Sequence, residues 1–240
     1  MSDCEEKQLE SKKVLLADEE AVKSIVLDTI SGLWDMVNNL TRLEPTNKER
    51  YRVTIFGSAR LLPDSAVYND VKGIARTLAE LGCDIISGGG PGLMQAANEG
   101  AAEGDSAERS RSVGIRVHLP FEQGANPFVE EAFTHRTFFT RLHHFVLASD
   151  AFVVAPGGIG TLLETAMIWQ LLQVKHLDNT PLILMGDMWR GLVDWADANM
   201  SGFDPPLAGT EDLKIPHCVD TADEAIQVLK EHHARWLDRS

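Results

Sequence analysis

A carboxylate and a guanidinium, each near a glycine-bearing turn, are the residues of this 240-residue chain whose placement suggests chemistry. Glu164 closes the run Pro156-Gly157-Gly158-Ile159-Gly160-Thr161-Leu162-Leu163-Glu164. At helical spacing Gly160, Thr161 and Glu164 share one face, so a carboxylate one turn inside the helix can point at a group held by the turn. Two blander roles compete for Glu164: a carboxylate serving the helix dipole, or a capping-box partner of Thr161. Arg141 stands in the mostly apolar stretch Phe138–Ala148, with His143 and His144 close by. An arginine in such a setting needs a carboxylate or phosphate partner.

Three glycine turns are spaced along the chain: Phe56-Gly57-Ser58-Ala59, Ser87-Gly88-Gly89-Gly90-Pro91-Gly92, and Pro156–Thr161. Any one of them can be a tight strand-to-helix turn and nothing more. Three at one edge of one sheet would bring free backbone N–H groups and positive helix ends together, which makes an anion site. Neither the dinucleotide fingerprint GxGxxG in the first strand–helix unit nor the phosphate loop GxxxxGK[ST] is matched. Short loops of this kind suit a monophosphate, and no cofactor is expected. No HExxH or comparable metal spacing occurs. His143 and His144 are therefore read as structural, and His232 and His233 as solvated.

The elements that must position these residues follow from periodicity. Val22, Ile25, Val26, Ile30, Leu33, Trp34, Val37 and Leu40 form a helical stripe ended near Pro45. From Tyr51 the pattern alternates. Strands are expected at Arg52–Phe56, Asp84–Ser87, Ser112–Leu119, Ala151–Ala155, Pro181–Met185 and near Cys218. Helices are expected over 67–81, 93–103, 138–148, 160–174, 188–199 and 222–236. Continuous apolar strands alternating with amphipathic helices indicate an α/β protein: a doubly wound, Rossmann-like parallel sheet with helices on both faces. The expected organisation is a polar lead with an accessory helix over residues 1–50, then one catalytic-type domain over 51–240.

Lys and Arg total 22 against 36 Asp and Glu, a net charge of −14. That excludes a general nucleic-acid-coating role, which needs a cationic surface. Residues 105–150 are nearer neutral, with Arg109, Arg111, Arg116, Arg136 and Arg141, and are the expected place for one phosphate. No apolar run approaches the ~18–20 residues that span a bilayer, so no membrane partner is expected. Cys4, Cys83 and Cys218 form no CxxC pair and read as free thiols of a reducing cytoplasm, the latter two as buried small residues.

Gly88-Gly89-Gly90-Pro91-Gly92-Leu93-Met94, then a strand, then Arg141, then PGGIGTLLE, resembles the LOG ("Lonely Guy") phosphoribohydrolases, often labelled lysine decarboxylases, over roughly residues 52–200. The resemblance implies release of a free base and ribose 5-phosphate from a nucleoside 5′-monophosphate, the base being an N6-modified adenine in the cytokinin-activating members. It implies Glu164 and Arg141 as catalytic residues and Gly157, Gly158, Gly160 and Thr161 as the phosphate loop. Glu122 in Leu119-Pro120-Phe121-Glu122 resembles a substrate-contacting glutamate, and Ser58, Gly89 and Met94 complete the expected substrate-binding set. Leu142 stands where the family often has lysine. A homodimer or larger homo-oligomer is implied as well. A lysine decarboxylase is not expected, since no lysine occupies a recognisable pyridoxal phosphate setting. The alternative is a nucleotide-binding or sensing protein on the same fold with little turnover. A molybdenum cofactor carrier, resting on similar glycine loops, is a third.

Overall fold

The computed structural model describes residues 18–40, 49–105, 108–118 and 124–238. Cys4, Glu122 and Leu119 lie outside the described residues. The chain divides into two compact units, residues 1–46 and 47–240. The first contains helix α1 (Glu19–Leu40), whose N-terminus is capped by the Asp18 carboxylate accepting from the Ala21 N–H at 3.1 Å. Ile25, Val26, Leu27 and Ile30 of this helix are exposed.

In the second unit the order is β1 (Arg52–Phe56), α2 (Ala66–Glu80), β2 (Asp84–Ser87), α3 (Leu93–Gly104), β3 (Ser112–Val117) and β4 (Glu131–His135). Then come α4 (Phe138–Ala148), β5 (Ala151–Val154), α5 (Ile159–Gln173), β6 (Leu182–Met185) and α6 (Asp187–Ala196). α6 runs into a π-helical turn, Asp197–Ser201, and α7 (Thr210–Leu213), β7 (Pro216–Val219) and α8 (Ala222–Leu237) finish the chain. The strands form one sheet in the order β4-β3-β2-β1-β5-β6-β7, and every pairing is parallel. The doubly wound α/β sheet expected from the alternation is present.

Alternate strand residues serve two cores. Val53, Ile55, Ala151 and Val153 pack with Val71, Ile74 and Leu78 of α2, with α3, and with Ala225 and Leu229 of α8. Phe56, Phe152, Val154, Leu182 and Leu184 pack on the other face with Phe145 of α4, Ile168 of α5 and Trp189 of α6. Strands buried on both faces explain the unbroken apolar runs. Side chains fix the helix starts: Ser65, Thr137 and Thr221 each accept a hydrogen bond from the backbone N–H three residues on.

Three expectations need correction. β4, Glu-Ala-Phe-Thr-His, is a strand that pattern reading misses, because it is an edge strand with no β-branched aliphatic residue and a mostly exposed face. His232 is buried, not solvated: its Nε2 donates to the Asn179 carbonyl at 2.7 Å and its Nδ1 pairs with the Tyr51 hydroxyl at 2.5 Å. His233 is half-buried, beside the rings of Tyr51 and Trp236. Of the cysteines, Cys83 is buried, and burial pushes its thiol up to about 12, while Cys218 in β7 is only half-buried. Among the described residues no group of three metal-ligating side chains occurs. His144 Nδ1 pairs with His135 Nε2 at 2.9 Å, tying α4 to β4, a structural part as expected.

α2 and α3 touch through glycine. A Cβ on Gly100 would lie 2.2 Å from the Lys72 carbonyl oxygen, a backbone atom that cannot swing away. Gly100→Ala should therefore cost about 1–3 kcal/mol through overpacking, seen as a lower urea midpoint with unchanged slope.

Candidate active site

Strand order reverses between β1 and β5, and at such a switch point the loops beyond the carboxyl ends diverge and leave a crevice. A cleft of about 720 Å³ opens there, lined by all three glycine turns and by side chains from α4, α5 and α6. The turns are fastened to one another. The Ser58 N–H donates to the Pro156 carbonyl at 3.1 Å, and the Leu93 N–H donates to the Ser58 carbonyl at 2.8 Å.

Under the second turn lies a buried polar network. Ser87 Oγ donates to Asn98 Oδ1 (2.6 Å) and accepts from the Gly89 N–H (2.9 Å). Asn126 Nδ2 donates to the Gly90 carbonyl (3.0 Å) and to Asn98 Oδ1 (2.9 Å), while Asn98 Nδ2 donates to Ser112 Oγ (2.9 Å). Each member is buried and satisfied, which is the condition under which such a network rigidifies a turn.

The cleft floor holds the pair. Arg141 Nη1 donates to Glu164 Oε1 at 3.0 Å, with the two side chains 11% and 10% exposed. The guanidinium is pinned from three further sides: Nε donates to the Ile115 carbonyl at 2.8 Å, Cζ lies 5.0 Å from the centre of the Phe145 ring, and Nη2 faces Gly88. A Cβ on Gly88 would stand 2.5 Å from Nη2 and 2.5 Å from Met94 Sδ, so the absence of a side chain there makes room for the arginine. Burial pushes the Glu164 carboxyl up to about 7, against the opposite pull of Arg141. Glu164 is neither a capping-box partner nor a dipole carboxylate alone, since its partner is the guanidinium.

At the start of α5 the first helical hydrogen bond runs from the Leu162 N–H to the Gly158 carbonyl. The N–H groups of Ile159, Gly160 and Thr161 precede it and have no intrahelical acceptor. With the helix dipole they present positive potential to the cleft.

Arg141, Glu164, Gly157, Gly158, Gly160, Thr161, Ser58 and Met94 all line the cleft, so the structure brings eight of the expected site residues together. Gly89 does not line it; its neighbour Gly88 does, while Gly89 turns with φ +70° against Gly114 and Arg116. Among the five arginines of 105–150 only Arg141 lines the cleft. Arg109 reaches the Glu80 carbonyl and Arg111 pairs with Glu131, both at the opposite, amino edge of the sheet. The lining residues that sequence reasoning missed include Arg60, Val117, Phe138 and Met188. Arg60 had a signal, since it follows Gly57-Ser58-Ala59 directly; Phe138 and Met188 lie at helix starts where nothing marks them.

Residues 94–229 match the family model described as "Possible lysine decarboxylase". The chain belongs to that family. It is the LOG-like, lysine decarboxylase-like family that the motifs resemble. Despite the family's description, no lysine among the described residues lines the cleft, where a decarboxylase would need one to hold pyridoxal phosphate. A pyrimidine/purine nucleotide 5′-monophosphate nucleosidase of Escherichia coli K12 is 33% identical over 109 residues, which is 43% of this chain and 24% of that protein. The chain thus spans about a quarter of the curated relative it matches. Among solved structures, a molybdenum cofactor binding protein from Rippkaea orientalis shares the fold family's architecture at a TM-score of 0.58 and 18% identity, over 77% of this chain and 98% of that one. The molybdenum cofactor carrier protein of Chlamydomonas reinhardtii does so at 0.57 and 18%, over 78% and 99%. At these identities the likeness is one of fold. No described helix is long and apolar enough to cross a membrane.

The elevated Glu164 carboxyl makes a stability prediction. Below about pH 4.5 the group is protonated in folded and unfolded chains alike; from there to about 7 the unfolded chain ionises while the fold keeps its proton. Stability is therefore lost as pH rises through that window and levels off above it, by about 3 kcal/mol for an offset of this size. Glu164→Gln removes the titration. Its stability relative to wild type should rise across pH 4.5–7, and parallel urea unfolding series would show it.

Proposed function

We propose that this protein hydrolyses the N-glycosidic bond of a nucleoside 5′-monophosphate, releasing the free base and ribose 5-phosphate. The observation that carries the proposal is the buried Arg141–Glu164 pair on the floor of the cleft that the α5 N-terminus enters. Membership of the family and the likeness to a nucleotide 5′-monophosphate nucleosidase support a glycosidase acting on nucleotides.

The phosphate is held by the free N–H groups of Ile159, Gly160 and Thr161 and by the Ser58 turn, a remote handle whose binding energy orients the sugar. As the C1′–N bond lengthens, its electron pair leaves with the base and positive charge grows on the ribose ring. An ionised Glu164 stabilises that charge and accepts a proton from the water that attacks C1′, so that ribose gains a hydroxyl and the base leaves protonated by solvent. Arg141 holds the carboxylate in place and, by lowering its affinity for a proton, keeps it available as a base near neutral pH. The apolar side chains Val117, Phe138 and Met188 give the base a surface to lie against. Glu122, which the resemblance makes a substrate contact, belongs to the same proposal.

The deciding assay incubates purified protein with adenosine, guanosine, pyrimidine and N6-modified adenosine 5′-monophosphates and measures free base together with ribose 5-phosphate. Both products in equal amounts are expected; tight binding with no free base would instead indicate a nucleotide sensor. Glu164→Gln should lower kcat by about 10²–10⁴-fold, the usual range for removing a general base. Because the ionised carboxylate is the active form, kcat/KM should climb with pH along an acid limb whose midpoint lies near 7. A limb centred near the ordinary carboxylate value would detach Glu164 from the reaction.

A further inference from the structure

A second guanidinium belongs to the cleft. Arg60 lines it, is exposed, and among the described residues its side chain has no hydrogen-bond or ion-pair partner. Its backbone is nonetheless fixed. The Arg60 N–H donates to Ser58 Oγ at 3.1 Å, and Ser58 is itself bonded to Pro156 of the third turn and Leu93 after the second. The side chain thus swings from an anchored root beside the three turns.

Arg141 cannot serve the phosphate. Its Nε and Nη1 are committed to the Ile115 carbonyl and to Glu164, and Nη2 is packed against Gly88. To turn toward another anion it would have to abandon a carboxylate that is 10% exposed, leaving a buried charge unpaired. A phosphate monoester carries about −1.5 to −2 charges near pH 7, whereas a helix N-terminus offers only about +0.5. The balance calls for a side-chain cation, and guanidinium is the group whose fork matches phosphate oxygens.

We propose that Arg60 folds over the 5′-phosphate held at the α5 N-terminus and makes the site select phosphorylated substrates over free nucleosides. This assignment rests on the nucleoside monophosphate function proposed above. It divides the two arginines by depth: Arg141 holds the reacting carboxylate, and Arg60 closes on the handle. An exposed arginine with no partner among the described residues carries no desolvation penalty while the cleft is empty and gains charge-assisted bonds once the phosphate arrives.

The test titrates ribose 5-phosphate, ribose and inorganic phosphate into wild type, Arg60→Ala and Arg60→Lys, each shown by thermal unfolding to be intact. It also compares kcat/KM for adenosine 5′-monophosphate with that for adenosine. Arg60→Ala should weaken ribose 5-phosphate binding roughly 10- to 100-fold and lower the monophosphate-to-nucleoside ratio by a similar factor. Arg60→Lys should retain part of both, having charge without the fork. Ribose 5-phosphate binding equal in wild type and Arg60→Ala, or no binding of it by wild type, would overturn the assignment. If wild type binds ribose 5-phosphate through Arg60 yet releases no base, the hydrolase proposal fails and the role of Arg60 stands.

Discussion

Everything in this cleft is arranged around a carboxylate that burial drives toward its neutral form and a guanidinium that drives it toward its charged one. Burial outweighs the guanidinium, and the Glu164 carboxyl is left at about 7, well above the ordinary carboxylate range. Such a balance depends on distance. Moving Arg141 away would leave desolvation unopposed and the carboxyl permanently protonated; exposing the pair would let water screen it and return the group to ordinary behaviour. The 3.0 Å contact must therefore be held by parts that do not yield. The Ile115 carbonyl comes from an interior strand, β3, the Phe145 ring from the core of one face, and the bare Cα of Gly88 from a turn locked by Asn98 and Asn126.

Topology brings these parts together. Strands β1 to β4 build outward on one side of the sheet and β5 to β7 on the other, so the chain crosses from β4 to β5 through α4. Arg141 lies on that crossing helix, and Glu164 on the helix that follows β5. The two residues are 23 positions apart in sequence and meet because one returning helix and one departing helix flank the same switch point. Thr137 caps α4 and the His135–His144 bond ties it to β4, which sets where along its length the arginine appears.

How much of this was readable from sequence depended on whether a feature leaves a local mark. Strands such as Ala151–Val154, buried on both faces, announce themselves as unbroken apolar runs, and the three turns announce themselves by glycine. β4 does not, because an edge strand with three of five residues exposed needs neither alternation nor β-branched residues. His232 did carry a mark that its polar character obscured. It falls on the stripe Ala225, Leu229, His232 of α8, the face that packs into the core, and Tyr51 supplies the partner that burial demands. The arginines of 105–150 show the opposite failure. Local composition collects charges that β3 then spreads between the two ends of the sheet, so proximity in sequence says little about proximity in space.

Net charge follows the same lesson. A chain of net charge −14 would seem a poor host for a phosphate, yet the potential that matters is set within a few ångströms by oriented N–H groups and individual guanidinium ions, while distant surface carboxylates are screened. The acidic surface and the cationic cleft are therefore compatible. Their combination has a consequence for selectivity. On the function proposed above, a polyanion such as a nucleic acid would meet the whole acidic surface, whereas a single small phosphate would need only the mouth of the cleft. A carboxylate kept in the interior at a cost to stability fits the same economy, because natural sites tolerate local instability where the chemistry requires it. On the function proposed above, Glu164 is costly to the fold for the reason that would make it useful: desolvation brings its proton affinity to the neutral range, where a carboxyl can both hold and release a proton.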